Sequence, residues 1–199
     1  IKPLHERAGK ITVEQIEQEV SRVARIPIST TKVDDTAMLK NLDTSLKSVV
    51  FGQDDAVDKL VDSVFVGRSG LREGNKTQGA FLFTGPTGVG KTEIAKQLAA
   101  CLGIEFIRFD MSEFSEKHTV SKFIGSPPSY VGYGDGQAGS GVLINTLEKT
   151  PHCVILCDEI EKAHPEIVNI FLQVMDNGTI NSSSGKMASA RNAYLIFTS

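Results

Sequence analysis

Nowhere in the 199 residues does an apolar run approach the ~18 residues that a helix needs to cross a bilayer. The opening Ile1-Lys2-Pro3-Leu4 lacks the pattern of a secretory leader, and no membrane partner is expected. No lysine- or arginine-rich run stands out, and the net charge is −3, which argues against nucleic acid as a main partner. Cysteine is scarce. The three present suit a reducing compartment, so a cytoplasmic location is expected. Cys153 and Cys157 bound an apolar run that reads as a strand, which would hold their Cα atoms roughly 13 Å apart, too far for a disulfide. Their one alternative, a metal site, would have to recruit His152 or His164, and buried thiols are the preferred reading. No internal repeat is visible. The chain begins without Met and stops just after an apolar strand, so it reads as part of something longer.

What is present is a globular composition, 40% hydrophobic and 23% charged, enough to bury a sizeable core in one domain or one domain with an appendage. The most informative stretch is Gly85-Pro86-Thr87-Gly88-Val89-Gly90-Lys91-Thr92, a complete G-x-x-x-x-G-K-[ST] phosphate-binding loop. Ala80 to Thr84 before it reads as a buried strand. Thr92 to Leu102 after it reads as a helix, with Ile94, Ala95, Leu98, Ala99 and Leu102 at helical spacing and Gly103 as the stop. Glycines let the backbone curl until successive N–H groups converge on phosphate oxygens at the positive end of the following helix. Lys91 would reach the β- and γ-phosphates and the Thr92 hydroxyl would ligate Mg²⁺.

Strand Cys153 to Cys157 runs into Asp158-Glu159. An apolar strand ending in two acids places Asp158 at the carboxyl edge of a parallel sheet, where it can hold the hydration shell of magnesium. Glu159, one residue on, suits the orienting and polarising of an attacking water. Two solvated carboxylates at a strand end would be the plainer reading; beside a phosphate loop, hydrolysis of ATP is preferred.

Elsewhere the pattern alternates strands and helices, which implies an α/β fold with a parallel sheet covered on both faces. Residues 10–26 predict a first helix, with Thr12 and Gln15 as a capping box and Val13, Ile16, Val20 and Val23 as its apolar stripe. A second helix carries Leu39, Leu42, Leu46 and Val49. Val50-Phe51-Gly52-Gln53 is a break, and Asp54-Asp55 open a third helix buried through Val57, Leu60, Val61, Val64 and Phe65. Ile104 to Phe109 is a strand and residues 115–124 a short helix. A long glycine-rich loop, 125–141, follows, and then helix 142–149. Helix Pro165 to Met175, a turn at Asn177-Gly178, a hairpin tip at Ser182-Ser183-Ser184-Gly185 and strand Ala193 to Thr198 complete the chain.

Several longer segments resemble the Clp/Hsp100 AAA+ unfoldases. They are Val50-Phe51-Gly52-Gln53-Asp54, the phosphate loop, 108–113 (Arg-Phe-Asp-Met-Ser-Glu), 118–122 (His-Thr-Val-Ser-Lys), 158–165 (Asp-Glu-Ile-Glu-Lys-Ala-His-Pro) and 172–178 (Leu-Gln-Val-Met-Asp-Asn-Gly). Together they are similar to the second nucleotide-binding module of that family, in its ClpA branch rather than its ClpB branch. The resemblance implies a P-loop NTPase fold: residues 1–35 as a helical linker from a preceding module, and 36–199 as the large AAA+ subdomain, cut before its first sensor. It also implies ATP and magnesium as cofactors, a homo-hexameric ring in the full-length protein, protein substrates threaded through its pore, and a ClpP-like peptidase as partner. A ClpB-like disaggregase, or a nucleotide-gated binding module that has lost translocation, is the alternative. Val50 and Phe51 would pack on adenine, and Tyr130 and Val131 would form the substrate-gripping pore loop. Neither Arg108 nor Arg191 is obviously presented to a neighbour, so the arginine finger is expected beyond Ser199 and the fragment alone should hydrolyse ATP poorly. Three features depart from the pattern: Ser129 in place of glycine, a longer 133–141 segment, and Ser189-Ala190 before Arg191-Asn192.

Overall fold

Every residue from Cys153 to Cys157 is buried, as is every residue from Tyr194 to Thr198. That is the burial of strands covered on both faces. The protein is described by a computed structural model over residues 12–24, 35–69, 74–125, 141–182 and 185–199. In chain order these form helices α1 (Val13–Ala24), α2 (Asp35–Lys47) and α3 (Asp54–Arg68), strand β1 (Gly79–Phe83), helix α4 (Lys91–Leu102) and strand β2 (Glu105–Asp110). Helices α5 (Lys117–Ile124) and α6 (Val142–Lys149), strand β3 (Cys153–Asp158), helix α7 (Pro165–Asn177) and strands β4 (Thr179–Asn181), β5 (Met187–Ser189) and β6 (Tyr194–Thr198) follow.

Four strands make one parallel sheet in the order β1-β6-β3-β2, and β4 and β5 pair as a separate antiparallel hairpin. On one face, residues of α2, α3 and α4, among them Leu42, Leu46, Leu60 and Leu98, pack on Val154, Leu156, Tyr194 and Ile196. On the other, residues of α5, α6 and α7 pack on Ile155, Cys157, Leu195 and Phe197. A file of rings, Phe109–Phe123–Phe171–Phe197, crosses that second layer with successive centroids 5.4, 5.7 and 5.1 Å apart. Fully burying one such side chain contributes about 1.5–3 kcal/mol. Because all four strands run the same way, their carboxyl ends share one edge: Asp110 lies opposite Asp158, and Phe83 opposite Thr198.

Several local expectations need correction. The second helix ends at Lys47, so the three-four-three stripe breaks one step early. Val49 and Val50 both turn back onto the Leu46 carbonyl, leaving Val49 42% exposed and Val50 buried in its place. Phe65 is also exposed, since the core side of α3 is filled by Val57, Leu60, Val61 and Val64. In α1 the cap forms as a reciprocal pair, Thr12 N–H to Gln15 Oε1 at 3.2 Å and Gln15 N–H to Thr12 Oγ1 at 3.4 Å. Its stripe of Val13, Ile16, Val20 and Val23 is solvent-exposed. The outer residues expected for that helix, 10, 11, 25 and 26, lie outside the described residues. So do 126–140, and with them Tyr130, Val131 and most of the glycine-rich loop. The expected hairpin is present: Gly185 N–H bonds the Ser182 carbonyl at 3.0 Å where β4 turns into β5.

Candidate active site

The chain leaves β1 at Phe83 and re-enters helix at Lys91, so the whole glycine loop hangs over the carboxyl edge of the sheet. Gly88 and Gly90 take φ values of 87° and 99°, a region that costs other residues roughly 1–2 kcal/mol. Gly90 caps α4 in the left-handed conformation, which aims the first amides of that helix into the loop. A Cβ on Gly88 would meet nothing within 4 Å, so the space beside the loop at that point is open. This is the shape a phosphate needs, and the loop from Gly85 to Gly88 is exposed to receive one. Lys91 folds over it, its ammonium donating to the carbonyls of Gly85 and, at 3.2 Å, Pro86. Thr92 follows as the second residue of α4.

The two acids arrive on the same edge. Asp158 ends β3 with its side chain 15% exposed, and its Oδ2 lies 2.7 Å from a guanidinium nitrogen of Arg108 on β2. Its Oδ1 accepts the hydroxyl proton of Thr198, the last residue of β6. Glu159 comes next and has φ 57° and ψ 54°, the single positive-φ residue other than glycine among the described residues. That kink turns the chain out of the strand, and the Glu159 carboxylate meets the Lys162 ammonium at 2.6 Å. The hydrogen bond that Lys162 donates to Glu159 raises the pKa of Lys162. The Glu159 amide donates back to Thr198 Oγ1 at 3.1 Å.

Backbone contacts tie the two halves together. Ser199 N–H donates to the Phe83 carbonyl at 3.1 Å, and Gly85 N–H to the Ser199 carbonyl at 3.3 Å. The path therefore runs unbroken from the glycine loop through Ser199 and Thr198 to Asp158 and Glu159. Hard oxygen donors, the Thr92 hydroxyl and the Asp158 carboxylate, suit a magnesium ion whose remaining positions are filled by phosphate and water. Among the described residues there is no group of three or more His, Cys, Asp or Glu side chains that could hold a metal by itself. Asp110, the third acid at this edge, is already engaged. It caps the short turn Met111–Phe114, accepting from Ser112 N–H at 3.0 Å and Ser112 Oγ at 2.5 Å, and these bonds lower its pKa.

Of the other candidates, Val50 is buried behind the loop, with its Cγ1 3.4 Å from where a Cβ on Gly90 would stand. Phe51 is 81% exposed beside it. Arg191 lies at the opposite, amino edge, packed near Gly178 and Asn75. The three cysteines are free; burial pushes the Cys153 thiol up to about 12 and Cys157 well above its ordinary value. Thr198 and Lys162 were not singled out from the sequence. The signal available was a polar residue closing the otherwise apolar Tyr194-Leu195-Ile196-Phe197 run, which ends 1% exposed.

The AAA domain (Cdc48 subfamily) matches residues 76–199. A ClpA homolog protein of Fuscovulum blasticum is 51% identical over 193 residues, covering 97% of this chain and 24% of that protein. The chain belongs to the AAA+ family, in its Clp/Hsp100 branch. Other Clp relatives agree: the ATP-dependent Clp protease ATP-binding subunit ClpE of Lactococcus lactis is 45% identical over 95% of this chain and 25% of its own length. The chaperone protein ClpB of Enterococcus faecalis is 44% identical over 95% of this chain and 22% of its own. The chain thus spans about a quarter of the length of the curated Clp proteins it matches. The parallel sheet between helical layers is the P-loop NTPase fold expected of that family. No helix among the described residues of this AAA+ domain is long and apolar enough to cross a membrane.

Proposed function

We propose that this domain binds ATP with magnesium and hydrolyses it, and that in the full-length protein the cycle drives unfolding and translocation of protein substrates into a ClpP-like peptidase. The observation that supports the first part is the shared edge: the glycine loop and the acid pair are joined through Ser199 and Thr198. In this reading the backbone N–H groups of residues 87–92 cradle the β- and γ-phosphates, and Lys91 exchanges its carbonyl partners for phosphate oxygens. Thr92 and Asp158 hold the cation. Magnesium, when bound, would neutralise the charge that builds on the transferring phosphoryl group. Glu159 orients and deprotonates the attacking water, from the backbone kink that follows Asp158. Val50 forms the floor beneath the base and Phe51 folds onto it.

The second part rests on the relatives named as a ClpA homolog and as an ATP-binding subunit of the Clp protease, and on the homo-hexameric assembly that the resemblance implies. Tyr130 and Val131 would then grip the substrate chain. A ClpB-like disaggregase is the second reading, favoured by the ClpB relatives at 44% identity. Full-length protein mixed with a ClpP peptidase and a folded, tagged substrate separates the two. ATP-dependent degradation that is lost in Tyr130→Ala, with ATPase largely kept, supports the unfoldase reading. Refolding of aggregates without degradation supports the disaggregase.

A further inference from the structure

Both oxygens of the Asp158 carboxylate are engaged by the protein itself, Oδ1 by the Thr198 hydroxyl and Oδ2 by Arg108 at 2.7 Å. Arg108 pairs across the sheet with Leu156, two residues before Asp158, so the two side chains are diagonal neighbours on one face. Their surroundings differ: Asp158 is 15% exposed and fixed at the end of a central strand, whereas Arg108 is 53% exposed on an edge strand. A guanidinium and a hydrated dication on the same carboxylate face would repel each other at close range. If one must leave, it is Arg108, whose long and half-exposed side chain can return to water.

We propose, resting on the nucleotide reading above, that Arg108 is the resident counter-cation of Asp158, holding the carboxylate in place and surrendering it when metal and nucleotide arrive. Arg108 is then a positioning residue that lowers the metal affinity of the site. It couples the β2 edge to nucleotide state, because its guanidinium is released into solvent each time the site fills.

The test is Mn²⁺ binding measured by electron paramagnetic resonance on full-length protein with a non-hydrolysable ATP analogue. Lys91→Ala is run in parallel, so that sites elsewhere in the chain are subtracted. Arg108→Gln should bind Mn²⁺ more tightly, by roughly two- to fivefold on the worth of a partly exposed ion pair. Arg108→Lys should restore most of the wild-type affinity. Unchanged affinity in Arg108→Gln overturns the proposal and leaves a structural ion pair; weakened affinity overturns it in favour of a direct phosphate contact. Should Arg108→Gln fail to fold, the Arg108 Nε–H resonance of wild-type protein serves instead. It should move on adding analogue with Mg²⁺ but not analogue with chelator, and an unmoved signal counts against the proposal. Absence of any Lys91-dependent Mn²⁺–nucleotide binding in the wild type would instead bring down the nucleotide reading itself.

Discussion

Thr198 holds Asp158 and Glu159 together: its hydroxyl donates to the first carboxylate and accepts the amide proton of the second at 3.1 Å. A single side chain at the end of β6, 1% exposed, thus ties Asp158 to the residue that follows it. Thr198→Val keeps the shape and removes both bonds. It should lower unfolding free energy by about 1–3 kcal/mol, since the part-buried Glu159 amide and Asp158 carboxylate each lose a partner, and should reduce turnover more than nucleotide affinity. Thr198→Ser should be near wild type. Denaturant melts and steady-state ATPase assays on the three proteins check this.

Glu159 occupies a left-handed conformation that glycine adopts freely. Glu159→Gly should therefore raise stability, by on the order of 1 kcal/mol, while abolishing hydrolysis. Calorimetry showing a lower rather than higher melting temperature would contradict the claim that the backbone there is strained.

The loop and the acid pair could be recognised in the sequence because each is a local pattern: a strand, a run of glycines or acids, and then a turn or helix. The partners that complete the site could not. Arg108, Thr198 and Asp158 are brought together by strand register across β2, β3 and β6, and nothing local in the sequence encodes the order β1-β6-β3-β2. Val49 and Phe65 were misplaced for a related reason. Helical periodicity says which face a residue shares, but not where the helix stops or how much of that face the neighbouring layer covers. The exposed stripe of α1 is the same lesson in reverse, a clean amphipathic pattern whose apolar side packs on none of the described core.

His152 is half-buried near Arg68, and burial first, then that positive charge, lowers its pKa below the usual 6.5. The unfolded chain then binds the proton more readily than the folded one. Stability should accordingly fall as pH drops from about 6.5 toward the folded-state value, and be insensitive to this group above neutrality. His152→Gln should flatten that part of the profile; urea melts between neutral and mildly acid pH decide.

Cysteine reactivity should follow burial. Cys153 and Cys157 sit within β3 with thiols held protonated by desolvation, whereas Cys101 near the end of α4 is only partly covered. Brief alkylation of native protein followed by mass mapping should label Cys101 alone, with the other two appearing only in denaturant. Rapid labelling of Cys157 in native protein would contradict the buried β3.

The central claim is that the glycine loop and the acid pair serve one triphosphate. Its most direct test is to follow bound radiolabelled ATP in the assembled full-length protein carrying Glu159→Gln, with Lys91→Ala in parallel to mark out this site. The account predicts that Glu159→Gln retains Lys91-dependent ATP unhydrolysed; release of product from that site at the wild-type rate would contradict it.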